Sequence, residues 1–499
     1  MKQYGRGAAL GEGRQNMKYL PSTSIGIHSQ SAFTPVIAMQ RRAATSGRTS
    51  ERLLRLWRED GWPTLRLAAP VMVARAGIIF MVVVDSLVTG RGGASELAFL
   101  GQGFAAQAVM MMISVGLLQG SMVLTAQAHG AGDDMACGPT WKAAMIVAAI
   151  LGLFFAAVFF LVEPGLRATG LDPEIASGTG RVSRQFAWGM PPMLLYIASG
   201  YFLESIKRPM VGMAIMLGAN VLNIIADGIC VLGWFGWVTP MGAEGAVMTT
   251  SALRWACFAC ALAYILYMTD AAAYGVFAPL SGLGARVVRI LKLGAPISIA
   301  LGLETAAISS LAFMAGHLGS AAAAAHQLTF NFNGLMIMVA VGMSAATSVR
   351  VAHAVGSGNH DGVARAGLTG ITLAFLIMCV FGLAVSLLPQ TISAAYVNDE
   401  AVWAISRQTL TAVGLMVIID GVMTVTMGAL RGMGDVRWPA FLHGIAFWIV
   451  GVPIAYVLAF SAGFGAVGLI LGISLAMLVS LILMGFRFRL VAARTILRA

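Results

Sequence analysis

The chain has 499 residues, of which 58% are hydrophobic and only 11% charged, with a mean hydropathy of +0.83. A water-soluble domain carries about 25% charged residues, so most of this chain takes lipid as its solvent and a soluble enzyme is excluded. The net charge of +11 does not point to nucleic acid, because the basic residues stand in short loops between apolar runs, where they set membrane orientation.

Residues 1–48 are rich in Gly, Ser, Gln and Arg without an apolar period, and are expected to be disordered. They lack the apolar core of a secretory signal, and Met17 or Met39 could equally be the start. Over 49–64, Leu53, Leu54 and Trp57 alternate with Arg52, Arg55 and Arg58, which suits a helix lying at the membrane surface. About twelve apolar runs of spanning length follow. Six fall in 65–268 and six in 291–488, with a polar linker at 269–290 and a basic tail at 489–499. The fold expected is an all-α polytopic membrane protein of two parallel six-helix lobes. In the fourth run, 184–205, Pro191-Pro192 should kink the helix.

The two halves repeat. LRLAAP, ending at Pro70, returns as LKLGAP, ending at Pro296; AQAHGAGD from Ala126 returns as AHAVGSGN from Ala352. Pro70 and Pro296, Gly90 and Gly316, and Ala126 and Ala352 all stand 226 residues apart. Six spans is an even number, so the halves point the same way, related by an axis along the membrane normal. Lys and Arg crowd one set of loops, and only Arg91, Arg167, Arg181, Arg184 and Arg407 fall on the other, which predicts both termini in the cytoplasm.

A charge at mid-membrane costs at least about 2.5–3.5 kcal/mol, so each acid within a span calls for a reason. Four stand there: Asp85, Asp227, Glu304 and Asp420. None is the repeat partner of another. Asn220, Asn223 and Asp227 lie on one helix face, and Thr249 and Thr250 follow in the next span. Such oxygens suit a hard monovalent cation or an exchangeable proton, or else a polar cluster that holds helices together. Glu304 and Asp420 have no basic partner in their own spans, whereas Arg75 or Arg254 could neutralise an acid. Glu163 and Glu204, near span ends, read as solvated surface. Gln327 and Asn331 share a face of the eighth span, beside His326 and Asn333, where they either line an aqueous cleft or pack helices. The 30 methionines, including Met110-Met111-Met112, either fill space or line a site for varied apolar cations.

No Lys follows a Gly anywhere, so there is no P-loop, and neither H-E-x-x-H nor G-x-S-x-G occurs. Cys257 and Cys260 lack a second pair to complete a zinc site, and no disulfide framework is implied. Transport driven by an ion gradient remains.

These motifs resemble the multidrug and toxic compound extrusion (MATE) family. The resemblance rests on VDSLVTG, AQAHGAGD, NVLNIIADG with MGAEGAVMTT, LKLGAPISIALGLE, VRVAHAVGSG and MVIIDGVMTVTMGALRGMGD, in family order across about residues 65–488. It implies two lobes in a V around a central cleft, exporting organic cations and amphiphilic drugs by antiport with H+ or Na+. It further implies no enzymatic activity, no cofactor, no nucleic-acid partner, and a monomer in the lipid bilayer. Location would be the plasma membrane, multi-pass, the inner membrane in a bacterium. By the same resemblance Asp85, Asn223, Asp227 and Thr250 match a cation or proton site in the N-terminal lobe, and Glu304 and Asp420 an acidic pair in the C-terminal lobe. Na+ could sit at either. Asn220, Gln327, Asn331 and Met416 are assigned to the substrate cavity. Met416 stands where some sodium-coupled members have an aromatic residue. A lipid or lipid-linked oligosaccharide flippase is the alternative within the superfamily, although its cavity would be basic. A receptor or channel would show no gradient-coupled flux.

Overall fold

Lipid offers no partner to a backbone N–H or C=O, so an apolar chain of this length must satisfy both within helices. The computed structural model describes residues 57–91, 93–168, 173–280, 282–396 and 400–493, and among them no strand occurs. The segment expected to be disordered, most of the expected surface helix and the end of the basic tail lie outside the described residues.

The first half is built from α1 (Trp62–Gly90), α2 (Ala94–Gly130), α3 (Cys137–Phe159), α4 (Pro173–Ser205), α5 (Pro209–Cys230) and α6 (Gly242–Tyr267). The second contains α7 (Leu283–His317), α8 (Ser320–Gly356), α9 (His360–Leu387), α10 (Glu400–Gly432), α11 (Arg437–Ser461) and α12 (Gly465–Ala492). Short helices, Val162–Ala168 and Pro389–Tyr396, precede α4 and α10.

Among the described residues eleven helices are long and apolar enough to cross a membrane, one fewer than the twelve runs expected. The shortfall is α4. It has 33 residues and runs on through Pro191 and Pro192, but the prolines, Arg181, Arg184 and several Ser and Gly residues dilute its apolar character.

The repeat is carried into the backbone. α2 and α8 both have 37 residues and start at the same spacing, and both stop at a glycine with positive φ, Gly132 at 75° and Gly358 at 69°. The amide after each glycine reaches back to a helix carbonyl, Asp133 to Ala128 and Asn359 to Ala354, both at 3.0 Å. A left-handed residue closing a helix this way is what glycine permits, which explains why AHGAGD and AVGSGN recur.

The halves interlock through their repeat-related helices. α2 packs on α7, and a methyl group at Gly116 would meet the Ser298 Cα at 2.7 Å. In the mirrored contact α8 packs on α1, and a methyl at Gly342 would meet the Met72 Cα at the same 2.7 Å. Small residues here let the backbones touch. The Ser298 hydroxyl donates to the Ile113 carbonyl at 2.5 Å, the Gln127 amide to the Gly432 carbonyl at 3.1 Å, and His353 Nε2 meets the Ser205 carbonyl at 2.7 Å. Arg431 donates to Gln119.

The turn Trp57–Gly61 leads into α1. In this stretch Asp60 is buried and pairs with Arg350 of α8 at 3.0 Å. The connection between α6 and α7 folds against the α2–α3 turn, where the Gly138 amide donates to the Tyr274 carbonyl at 2.7 Å. Toward the other end of the helices a cleft of about 610 Å³ lies between α2, α7 and α11, walled by Val109, Met112, Ile113, Phe313, Met314 and Trp448.

Candidate ion and substrate site

α1, α5 and α6 bring their polar residues to one buried point. Asp85 lies near the end of α1, Asn223 and Asp227 one turn apart on α5, and Thr249 and Thr250 in the third turn of α6. All five are buried. Asn223 Nδ2 donates to Asp85 Oδ1 at 3.0 Å and Thr250 Oγ1 to Asp85 Oδ2 at 2.8 Å. Thr249 donates to Asp227, and Asn223, one turn before Asp227, joins the two acids into one cluster through its bond to Asp85. Asn220 turns its amide nitrogen back to the Met216 carbonyl at 2.8 Å. Asn220 Oδ1, Asn223 Oδ1 and Asp227 Oδ2 are buried without a hydrogen-bond partner among the described residues.

Of this cluster Thr250 reaches a cavity of about 210 Å³ between α1, α2, α4, α5 and α6, which Arg254, Gln107 and Met111 also line. Met111 therefore faces the interior of the first half while Met112 faces the cleft between halves. The two arginines considered as counter-charges part company. Arg75 pairs with Glu204 at 3.0 Å, both largely enclosed, so Glu204 is an internal partner and not solvated surface. Glu163, expected there too, bridges Arg167 at 2.6 Å and Arg184 at 2.9 Å.

In the second half Glu304 of α7 meets His443 of α11, with His443 Nε2 at 3.4 Å from Glu304 Oε2. His443 is fully buried, and its other nitrogen is 3.2 Å from the Ser480 hydroxyl. Asp420, buried in α10, accepts from Thr424 at 3.4 Å. Sequence reasoning missed His443 because its partner is far along the chain; a histidine inside an apolar run was the available signal. Gln327 donates to Asn331 at 3.1 Å on an exposed face of α8. Met416, assigned to the substrate cavity, is fully enclosed in the second half's hydrophobic core.

The family described as MatE matches this chain twice, over residues 70–229 and 296–457. The chain belongs to the MATE family. Its members are transporters, so this is a transport protein and not an enzyme. The two matched blocks begin at Pro70 and Pro296, the prolines that open the repeat.

This MATE protein is similar to the probable multidrug resistance protein NorM of Bradyrhizobium diazoefficiens, 32% identical over 439 residues, covering 87% of this chain and 94% of the relative. It is 29% identical to the multidrug resistance protein PmpM of Pseudomonas aeruginosa over 405 residues, 80% of this chain and 84% of that one. The crystal structure of the eukaryotic MATE transporter AtDTX14 superposes with a TM-score of 0.80 over 88% of this chain and 96% of that chain, at 18% identity. That likeness shows a shared fold.

Proposed function

We propose that this MATE protein exports amphiphilic drugs and organic cations by antiport with H+ or Na+. The observation that carries the reading is the burial of two carboxyls on separate helices, Asp85 and Asp227, in one cluster with Asn223, Thr249 and Thr250. Two such acids away from water are tolerated when a cation is shared between them, and the unpartnered oxygens of Asn220, Asn223 and Asp227 suit that cation. With the ion bound the cluster is neutral and holds a cationic drug weakly; with the ion gone its charge returns. An exporter needs this difference in affinity between its two states. Glu304 and Asp420, with Gln327 and Asn331 across on α8, are a second candidate for binding. The relatives NorM and PmpM, named as multidrug resistance proteins, support drugs as substrates.

In this reading the interlocked ends of α2 and α8 face the cytoplasm, both termini lie there, and the cleft opens outward. The lobes 65–268 and 291–488 rock about the interface. Each acid cluster is complete within one chain, which suits a monomer in the plasma membrane, without a cofactor.

The test uses inverted membrane vesicles with a fluorescent cationic dye supplied outside, at the cytoplasmic face, with a proton gradient imposed first and a sodium gradient next. Dye should move under one of them and stop in Asp85→Asn. Fully coupled transport by Asp85→Asn would remove Asp85 from the mechanism. No dye movement under either gradient, with folded protein, would overturn the exporter reading.

A further inference from the structure

The duplication contains one pair of equivalent positions whose charges do not correspond. Before α1, Asp60 pairs with Arg350 of α8 at 3.0 Å. The residue 226 positions on from Asp60 is Arg286, in the first turn of α7, and the residue 226 positions back from Arg350 is Leu124, on α2. Both line one void of about 180 Å³, at the place where the other half has its ion pair. Thr140 in the first turn of α3, Asp133 in the turn after α2 and Arg289 of α7 line it too. The Arg286 guanidinium donates to the Thr140 hydroxyl at 3.2 Å, and Arg289, one turn further along α7, is exposed. The void is thus lined by two guanidiniums and a hydroxyl against a single carboxylate, the exposed Asp133.

We infer that this pocket binds the phosphate of an anionic phospholipid, drawn from the leaflet at the interlocked end of the helices. The inference goes beyond drug export and does not depend on it. A phosphodiester spreads its charge over tetrahedral oxygens, which two planar guanidinium forks and a hydroxyl can approach from different sides. The void has the volume of roughly six waters in the liquid, room for a phosphate and a small polar alcohol but not for acyl chains. The chains have their own surface alongside. Phe277 and Leu280 in the connection before α7, and Val288 and Leu291 on α7 itself, are exposed large apolar residues. A free phosphate would gain nothing from them. Hydroxyls of a glycerol headgroup can donate to Asp133, whereas a choline has no N–H or O–H to give and its charge cancels that of the phosphate. Basic pockets between membrane helices hold anionic headgroups on these terms. Arg286 and Arg289 belong to the second half, and Leu124, Asp133 and Thr140 to the first, so a lipid seated here bridges the two.

The test counts bound lipids. Purified full-length protein in detergent is titrated with dioleoyl phosphatidylglycerol or dioleoyl phosphatidylcholine and read by native mass spectrometry. The wild-type protein should bind the first lipid of the glycerol series about tenfold more tightly than that of the choline series, the size of one good charge-assisted contact. Arg286→Leu and Arg289→Leu should each weaken phosphatidylglycerol binding by about fivefold, and together by about thirtyfold, which brings the preference close to one. Leu124→Arg combined with Arg286→Asp builds the ion pair of the other half into the pocket. That exchange should also erase the preference, and it serves if the double leucine variant does not fold. Equal affinity for the two lipids in the wild type, or an undiminished preference in whichever of these two variants folds, overturns the inference. Displacement of phosphatidylglycerol by millimolar inorganic phosphate would assign the pocket to a soluble anion and overturn the lipid. No gradient enters the measurement, so a failure of the exporter reading would show only in the vesicle experiment.

Discussion

Arg350 and Asp60 form an ion pair at 3.0 Å that ties α8 of the second half to the turn before α1 of the first. The same guanidinium also donates to the Asp60 carbonyl and to Thr64, and Thr64 donates back to that carbonyl at 2.6 Å. One arginine thus fastens the head of α1 to the opposite half, at the end where the helices interlock. Both side chains are largely enclosed, 18% and 11% exposed, so the contact is stronger than a surface pair. Arg350→Ala and Asp60→Ala should each lower stability by about 2 kcal/mol, less than the loss for a fully buried pair. In a double-mutant cycle read by thermal unfolding, the double variant should cost clearly less than the sum. Additive losses would mean that the two residues act independently.

The glycines at the crossing give a second expectation. Gly116 faces the Ser298 backbone, whereas Gly302, one turn further along α7 than Ser298, has open space around it. Gly116→Ala should destabilise by about 1–3 kcal/mol through overpacking, and Gly302→Ala should be neutral or slightly stabilising, since alanine favours the helix. Unfolding midpoints measured in one detergent decide between them. Equal midpoints for the two variants would refute the close approach of α2 and α7.

Thr250 gives the cleanest reading of the acid cluster, because it donates to Asp85 at 2.8 Å without carrying charge. A hydrogen bond to a charged group is worth about 1.5–3 kcal/mol, so Thr250→Val should lower gradient-driven dye transport about ten- to a hundredfold. Thr250→Ser, which keeps the hydroxyl, should restore most of it. If valine and serine behave alike in vesicle assays, the hydroxyl has no part in transport.

His443 is the fourth case. It stands between Glu304 and Ser480 in the interior of the second half. His443→Leu keeps the bulk but leaves the Glu304 carboxylate without its ring partner, and should cost about 1–3 kcal/mol. Ser480→Ala, which removes a weaker neutral contact, should cost about 1 kcal/mol or less. Thermal unfolding of the two variants supplies the comparison, and a smaller loss for His443→Leu would argue that Glu304 is satisfied elsewhere.

What the sequence could express was local or periodic. Apolar runs of spanning length announce helices because lipid leaves the backbone no other partner, and α4 escaped the apolar criterion only through its prolines and polar residues. The repeat was legible because Pro70 and Pro296, and the glycine-bearing turns after α2 and α8, keep one spacing. Asn223 and Asp227 could be grouped since both lie on one face of α5, and the resemblance to the MATE family added Asp85 and Thr250.

Which charges meet was decided by tertiary structure. Arg75 and Arg254 look alike in sequence, each a lone arginine in an apolar run. Packing set Glu204 against Arg75 and gave Arg254 a neutral amide and a cavity. His443 reaches Glu304 from four helices further on, and Met416 turns into the core one turn before Asp420. A pairing energy depends on distances across the bundle between residues more than a hundred positions apart. Those distances follow from how the helices within each half pack on one another, which no local pattern records.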